Sequence, residues 1–227
     1  MAQTFTDLGR IEAIQQLFEG TGYAPFGEPL WFEANPQDCV TTASALLLEG
    51  IDFDLVYFPL RHLGRKSVLR AVGELYAVMA GPETLSVQLG ISAKLDFPQV
   101  QELWWGIAAT AQEHGFRHLC LDLQPSRNGL TIALSATGRH NAAVSVSRPK
   151  AQSKDLICVS GALGAAFLGL QVLERERVRF DQGARDHKEL EQYKMLVGAY
   201  LRPEIDAQTA RQLIQSGVTP SHGYFLT

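Results

Sequence analysis

Between residues 39 and 136 the hydrophobic pattern changes period segment by segment, and that order of periods narrows the fold more than any other feature of the chain. Cys39 to Leu48 reads as a buried strand. Leu60 to Met79 then carries Leu63, Val68, Leu69, Val72, Leu75 and Val78 at helical spacing with no internal proline, and Thr84 to Ile91 alternates Leu85, Val87, Leu89 and Ile91 as a strand with one buried face. Asp96 is a good N-cap, with Pro98 in the first turn, for a helix whose one face is Val100, Leu103, Trp104, Ile107 and Ala111; Gly115 ends it. Trp104 has core phase there and Trp105 is offset from it. Two more β segments, Leu119 to Leu123 and Leu130 to Ala136, flank the polar turn Gln124 to Gly129. Helices alternating with strands in this order make an α/β (α+β) sheet domain.

The flanks are less regular. Residues 7 to 18 have Leu8, Ile11, Ile14, Leu17 and Phe18 at helical spacing after Thr6, a candidate N-cap, and Gly20-Thr21-Gly22 stops the helix. Prolines and aromatics break the pattern from Tyr23 to Cys39, apart from a short strand expected at Leu30-Trp31-Phe32. The polar stretch Ser147 to Lys154 reads as a connection, which divides the chain into units 1–146 and 147–227. The second unit has a β run, Asp155 to Ser160, a Gly-rich turn, helices over Ala165 to Leu173, His187 to Tyr200 and Ala207 to Gln215, and the strand-like Tyr224-Phe225-Leu226. Two β segments leave sheet edges without partners, so an oligomer or a covering element is expected.

Composition excludes several classes. With 46% hydrophobic and 19% charged residues the 227-residue chain is an ordinary globular sequence. Twenty Lys and Arg against 24 Asp and Glu give a net charge of −4, which argues against nucleic acid or an anionic membrane as partner. Cys39, Cys120 and Cys158 are too far apart for a ligand spacing and are read as reduced core residues. Without a signal-like start or a long apolar run, the expected location is the cytoplasm.

The chemistry-bearing candidates are few. Ser160-Gly161-Ala162-Leu163-Gly164 before a helix could cradle a phosphate, but it has neither the Lys-Ser/Thr ending of a P-loop nor a third glycine, and close packing or a tight turn explains such glycines better. Glu49, Asp52 and Asp54 flank Gly50 after a strand, as Mg²⁺ ligands or as a solvated turn. Asp122 stands inside Leu119-Cys120-Leu121-Asp122-Leu123, where a carboxylate must be paired, metal-bound or at an exposed strand end. The six histidines show no metalloprotease-type pair.

Three ordered segments carry a resemblance: Leu46-Leu47-Leu48-Glu49-Gly50-Ile51-Asp52-Phe53-Asp54, Leu63-Gly64-Arg65-Lys66-Ser67-Val68, and Asp155-Leu156-Ile157-Cys158-Val159-Ser160-Gly161-Ala162-Leu163-Gly164-Ala165-Ala166. Together they resemble thiamine-monophosphate kinase, in the superfamily of aminoimidazole ribonucleotide synthetase. The resemblance implies an N-terminal domain that dimerises through its sheet, a C-terminal α/β domain shortened here, and transfer of the ATP γ-phosphoryl group to thiamine monophosphate by aspartates holding Mg²⁺. Carried over residue by residue, the family's Gly-Asp-Asp falls on Gly27-Glu28-Pro29 and the aspartate of its Thr-Thr-Asp on Ala45. Its Asn-Leu-Ser-Asp falls on Ala71-Val72-Gly73-Glu74 and its Gly-Gly-Asp-Thr-Thr on Cys120-Leu121-Asp122-Leu123-Gln124; a late Ile-Ser-Asp-Gly-Leu would fall near Ser221 to Phe225.

The resemblance therefore implies residual metal ligands Glu28, Glu74 and Asp122, a nucleotide side that adds Gly27 and Arg148, and Asp52 and Asp54 toward substrate. Mg²⁺ and ATP are the implied cofactors if the chain is active. With methyl and proline at two ligand positions, the expectation is a homologue that has lost most of its metal-binding aspartates and acts in binding or regulation. The alternative is an active kinase with a reduced Mg site. The expected partner is a second copy of the chain, or a full-length kinase paralogue.

Overall fold

The computed structural model describes residues 8–25, 38–141, 152–184 and 188–217. Their elements in chain order are α1 (Arg10–Phe18), β1 (Asp38–Leu48), α2 (Leu60–Ala77), β2 (Gly81–Ser92), α3 (Phe97–His114), β3 (His118–Ser126), β4 (Thr131–Asn141), α4 (Ala165–Asp181), α5 (Lys188–Gln192), α6 (Lys194–Leu201) and α7 (Ala207–Gln215). The mixed α/β reading holds, and the element order of the first 140 residues is the expected one.

The four strands form one sheet in the order β1-β4-β2-β3. β4 is antiparallel to both neighbours, whereas β2 and β3 are parallel. β1, β2 and β3 therefore run the same way, joined by the crossover helices α2 and α3, and β4 inserts between β1 and β2. Each crossover brings the next strand back in the same direction. The carboxyl ends of three strands and the start of β4 consequently share one edge, with Leu48 and Gly90 both opposite Thr131 and Ser92 opposite Ser126.

One face of this sheet is buried. Leu47, Leu85, Val87, Leu89, Ile132 and Leu134 are at most 2% exposed and pack with Leu63, Val68, Val72, Leu103, Trp104 and Ile107 of α2 and α3. The other face carries Val40, Leu46, Ser44, Ser135 and Cys120 to the surface. β1 is thus buried on one side only, because strand side chains alternate and helices cover a single face. The cysteines are free, and the core reading of them does not hold: Cys120 stands on the outer face of edge strand β3, Cys158 is exposed and Cys39 is half-buried.

The two helices meet backbone to backbone. A Cβ on Gly64 would lie 2.2 Å from the Leu103 carbonyl oxygen, and one on Gly106 would lie 2.1 Å from the Arg61 carbonyl oxygen. At α3 the Asp96 carboxylate accepts the Gln99 N–H while the Gln99 side chain accepts the Asp96 N–H, each at 2.9 Å, and Gly115 ends the helix at φ 83°. This is a capping box closed by a left-handed glycine. The Tyr76 hydroxyl and His114 Nδ1 share a hydrogen bond at 3.0 Å, and burial lowers the imidazole pKa to about 4. α1 packs on α3 with Phe18 and Trp104 ring centroids 5.0 Å apart.

The C-terminal helices join the same core through Leu173 and Tyr200. α4 lies on α6 as closely as α2 on α3, since a Cβ on Gly169 would meet the Leu196 carbonyl oxygen at 2.0 Å. The β run expected at 155 to 160 is not a strand. Leu156 and Ile157 are 91% and 93% exposed there, and among the described residues no strand pairs with them. A continuous apolar run suits an interior strand, which needs neighbours on both edges to form. The helix expected over 187 to 200 is broken at Tyr193 into α5 and α6, and α4 runs eight residues beyond the expected end at Leu173. Leu30 to Phe32, Tyr224 to Leu226 and the boundary at 146/147 lie outside the described residues.

Gly106→Ala is expected to lower stability by about 2–3 kcal/mol, because the methyl group must displace backbone. Gly198→Ala, where a Cβ meets nothing within 4 Å in α6, is expected to raise it by about 0.5 kcal/mol. Urea midpoints of the two variants check both signs.

Candidate functional site

At the edge where the three strands end, the turn from Glu49 to Pro59 links β1 to α2. Gly50 at φ 82° starts it, the Gly50 N–H donates to the Phe53 carbonyl at 2.8 Å, and Phe53 and Phe58 are buried at 2% exposure. The acids of this turn serve the backbone. Asp52 Oδ2 accepts the Leu48 N–H at 2.8 Å, Asp54 Oδ1 accepts the Val56 N–H at 2.8 Å, and Glu49 Oε2 accepts the Leu130 N–H at 2.6 Å, fastening the turn to the start of β4. Asp and Glu oxygens commonly satisfy turn N–H groups in this way.

The remaining oxygens of Asp52 and Asp54 face cations of the chain itself. Arg177 of α4 lies 2.5 Å from Asp54 Oδ2, and Arg70 of α2 lies 3.8 Å from Asp52 Oδ1. Tyr57 donates to Glu174 of α4 at 2.5 Å, and burial together with that carboxylate raises the phenol pKa. Tyr200 of α6 donates to the Asp52 carbonyl at 3.3 Å. The turn is therefore where α4 and α6 attach to the sheet domain.

Lys66 is central to this attachment. Its Nζ stands 3.6 Å from the Tyr200 ring centroid and 5.2 Å from that of Phe58, so two aromatic faces enclose the amine. Burial lowers its pKa to about 8, with Arg70 acting in the same direction and Asp52 against it. The ring faces favour the charged amine, and burial favours the neutral one.

Beside the turn is an open cleft of about 240 Å³ lined by Glu49, Gly50, Asp54, Ser92, Lys94, Arg127, Asn128 and Gly129. It lies outside the carboxyl ends of the strands, the edge at which open α/β sheets bind ligands. Two of its walls are the tethered acids Glu49 and Asp54.

The residues carried over from the resemblance do not all come together. Asp52 and Asp54 share the turn, but Glu74 is exposed on α2, a helix that packs on the buried face of the sheet. Asp122 alternates with Leu121 and Leu123, which turn toward the helices, so its carboxylate stands on the opposite face of β3, ion-paired with Arg10. The sheet thus lies between Glu74 and Asp122. Ala45, where the family's aspartate would fall, is buried at 7% exposure. Gly27, Glu28 and Arg148 lie outside the described residues. Among those described, no three His, Cys, Asp or Glu side chains converge as metal ligands, and Glu74 with Asp122 does not fit a multi-metal phosphate site. The phosphate-cradle reading of Gly161 and Gly164 gains only that both have positive φ, the ordinary property of turn glycines.

Sequence reasoning missed Lys66, Lys94, Arg127, Arg177 and the Arg10 partner of Asp122. Lys66 lies in one of the three segments that carry the resemblance and Arg127 in the turn 124–129, but neither position marks a lysine between rings or an arginine in a cleft.

With the lysines ¹³C-dimethylated, the Lys66 resonance is expected to titrate near pH 8 while ordinary lysines titrate near ~10. NMR of the protein and of Lys66→Arg assigns the signal. A midpoint in the ordinary lysine range would mean that attraction to the rings outweighs burial.

No protein-family model matches the chain, and no curated protein matches it in sequence. Solved structures do match in shape. A thiamine-monophosphate kinase from Stenotrophomonas maltophilia K279a is 21% identical with a TM-score of 0.66, over 90% of this chain and 63% of that one. The structure described as AaThiL complexed with AMPPCP and TMP is 19% identical with a TM-score of 0.63, over 92% and 64%. The hydrogenase maturation protein HypE in complex with ATP is 17% identical with a TM-score of 0.54, over 76% and 49%. The chain therefore has the aminoimidazole ribonucleotide synthetase-like fold of the thiamine-monophosphate kinases, over less than two thirds of the length of these neighbours.

Proposed function

We propose that this chain is a non-catalytic homologue of the thiamine-monophosphate kinases that acts by binding, as a homodimer formed through the outer face of its sheet. The observation that carries the reading is the placement of Glu74 and Asp122 on opposite sides of the sheet, with Asp122 already paired to Arg10. Phosphoryl transfer consists mainly of positioning and charge neutralisation by metals. Two carboxylates that cannot reach one ion do not supply that, and the methyl group of Ala45 adds no oxygen. Similarity of shape to the thiamine-monophosphate kinases, one of them solved with AMPPCP, supports the kinase-like ancestry of the scaffold.

The dimer rests on the outer sheet face. Val40 and Leu46 of β1 are 53% and 52% exposed there, among short serine and threonine side chains that leave a partner sheet room to approach. A second copy would cover them on both protomers at once, as a two-fold interface requires.

The test incubates the protein with thiamine monophosphate, ATP and Mg²⁺ and looks for thiamine diphosphate by chromatography, alongside Asp122→Asn and with the sample sized by light scattering. The expected result is no product from a particle of twice the chain mass. Product formed by the wild type and lost in Asp122→Asn would establish an active kinase with a reduced metal set. A monomer would remove the dimer.

A further inference from the structure

Four charged side chains line the cleft at the carboxyl ends of β1, β2 and β3, and they are not equivalent. Glu49 is tied by the Leu130 N–H at 2.6 Å, and Asp54 by the Val56 N–H at 2.8 Å and Arg177 at 2.5 Å. Lys94 and Arg127 have no hydrogen-bond or ion-pair partner for their side chains among the described residues, and both are exposed on the cleft wall. Asp54 is thus ion-paired to α4 and Glu49 is bound to the backbone, while Lys94 and Arg127 are the charged groups of the cleft left without a partner among the described residues.

The cleft floor adds to this. Ser92 is buried at 6% exposure, with its Oγ accepting the Lys94 N–H at 3.3 Å, which holds the Lys94 backbone at the rim. Gly129 has φ 98°, and a Cβ there would lie 2.8 Å from Glu49 Oε2, so this wall must be bare backbone for the Glu49 tether to exist. The Asn128 amide completes a rim rich in donors.

From this arrangement we propose that the cleft binds a small phosphorylated molecule, its phosphate held between Lys94 and Arg127. A guanidinium fork and an ammonium group together match a phosphate dianion better than a single carboxylate, and they need no metal. Size sets the class of ligand. About 240 Å³ is below the roughly 300–1,000 Å³ of pockets that enclose drug-sized molecules. A short phosphate monoester is the ligand this volume holds within its walls. The site does not rest on the non-catalytic reading, since it uses none of Glu28, Glu74 and Asp122.

The test is calorimetric titration of the whole chain in metal-free buffer with inorganic phosphate, glycerol phosphate, thiamine monophosphate and succinate in separate runs. Glycerol phosphate is expected to bind at least as tightly as inorganic phosphate, and succinate roughly tenfold more weakly or not at all. Lys94→Ala/Arg127→Ala is expected to weaken both phosphate ligands by roughly tenfold or more at an unchanged urea midpoint, whereas Arg117→Ala, which removes an exposed arginine from outside the cleft, leaves them unchanged. Absence of binding at millimolar ligand, or equal binding by the double variant, overturns the site. Succinate binding as tightly as phosphate overturns the phosphate assignment, and thiamine monophosphate binding tenfold tighter than glycerol phosphate overturns the size class.

Discussion

Two glycines, Gly64 and Gly106, let α2 and α3 touch backbone to backbone, and the rest of the molecule follows from that contact. A methyl group at either position would sit little more than 2 Å from a carbonyl oxygen of the facing helix. Because the helices approach so closely, both fit over one face of a four-stranded sheet, and Leu63, Leu103 and Ile107 can reach Leu47, Val87 and Ile132 in a single core. With the crossovers fixed on one side, the carboxyl ends of β1, β2 and β3 must emerge at one edge. The turn 49–59, the Lys66 enclosure and the cleft are all built at that edge. The same device recurs where Gly169 of α4 meets Leu196, so the C-terminal helices are attached by small-residue packing as well as by the Asp54–Arg177 and Tyr57–Glu174 pairs.

At the site the acidic side chains serve the chain's own backbone and helices. Carboxylates in the turn after β1 cap N–H groups and hold helices, and Asp122 is balanced by a guanidinium from its own chain. Once an acid is satisfied by its own protein, a cation from solution has to compete with a tethered partner that loses little entropy on binding. What stays unsatisfied among the described side chains of the cleft is the pair Lys94 and Arg127, the groups proposed to hold a phosphate.

Much of the fold was legible because local rules set it. Asp96, Pro98, Gln99 and Gly115 delimit α3 through capping and a left-handed glycine, and the alternation in β2 and the core phase of Trp104 against Trp105 needed only period counting. The insertion of β4 between β1 and β2 was not legible, since strand order is decided by tertiary pairing and leaves no local mark. The burial of the cysteines failed for a related reason: Cys120 alternates with leucines in an apolar run, and only the one-sided helix layer shows which face meets solvent. Leu156 to Val159 kept the composition of a strand, but no neighbouring strand pairs with it among the described residues. The turn that holds Asp52 and Asp54 was legible because they follow a strand and a glycine. Lys66 and the Arg10–Asp122 pair were missed because their partners are 134 and 112 positions away in sequence, Lys66 from Tyr200 and Arg10 from Asp122.

The separation of Glu74 from Asp122 by the sheet is tested most directly by counting bound metal. Titrating the protein with Mn²⁺, with and without ATP, and following the electron paramagnetic resonance signal of the free ion gives that count against an ATP-only blank. If the carboxylates stand on opposite faces, the signal with protein follows the blank, and Asp122→Asn changes nothing. Retention of two or more Mn²⁺ per chain, lost in Asp122→Asn, would mean that the acids converge on one metal site and would contradict the separation.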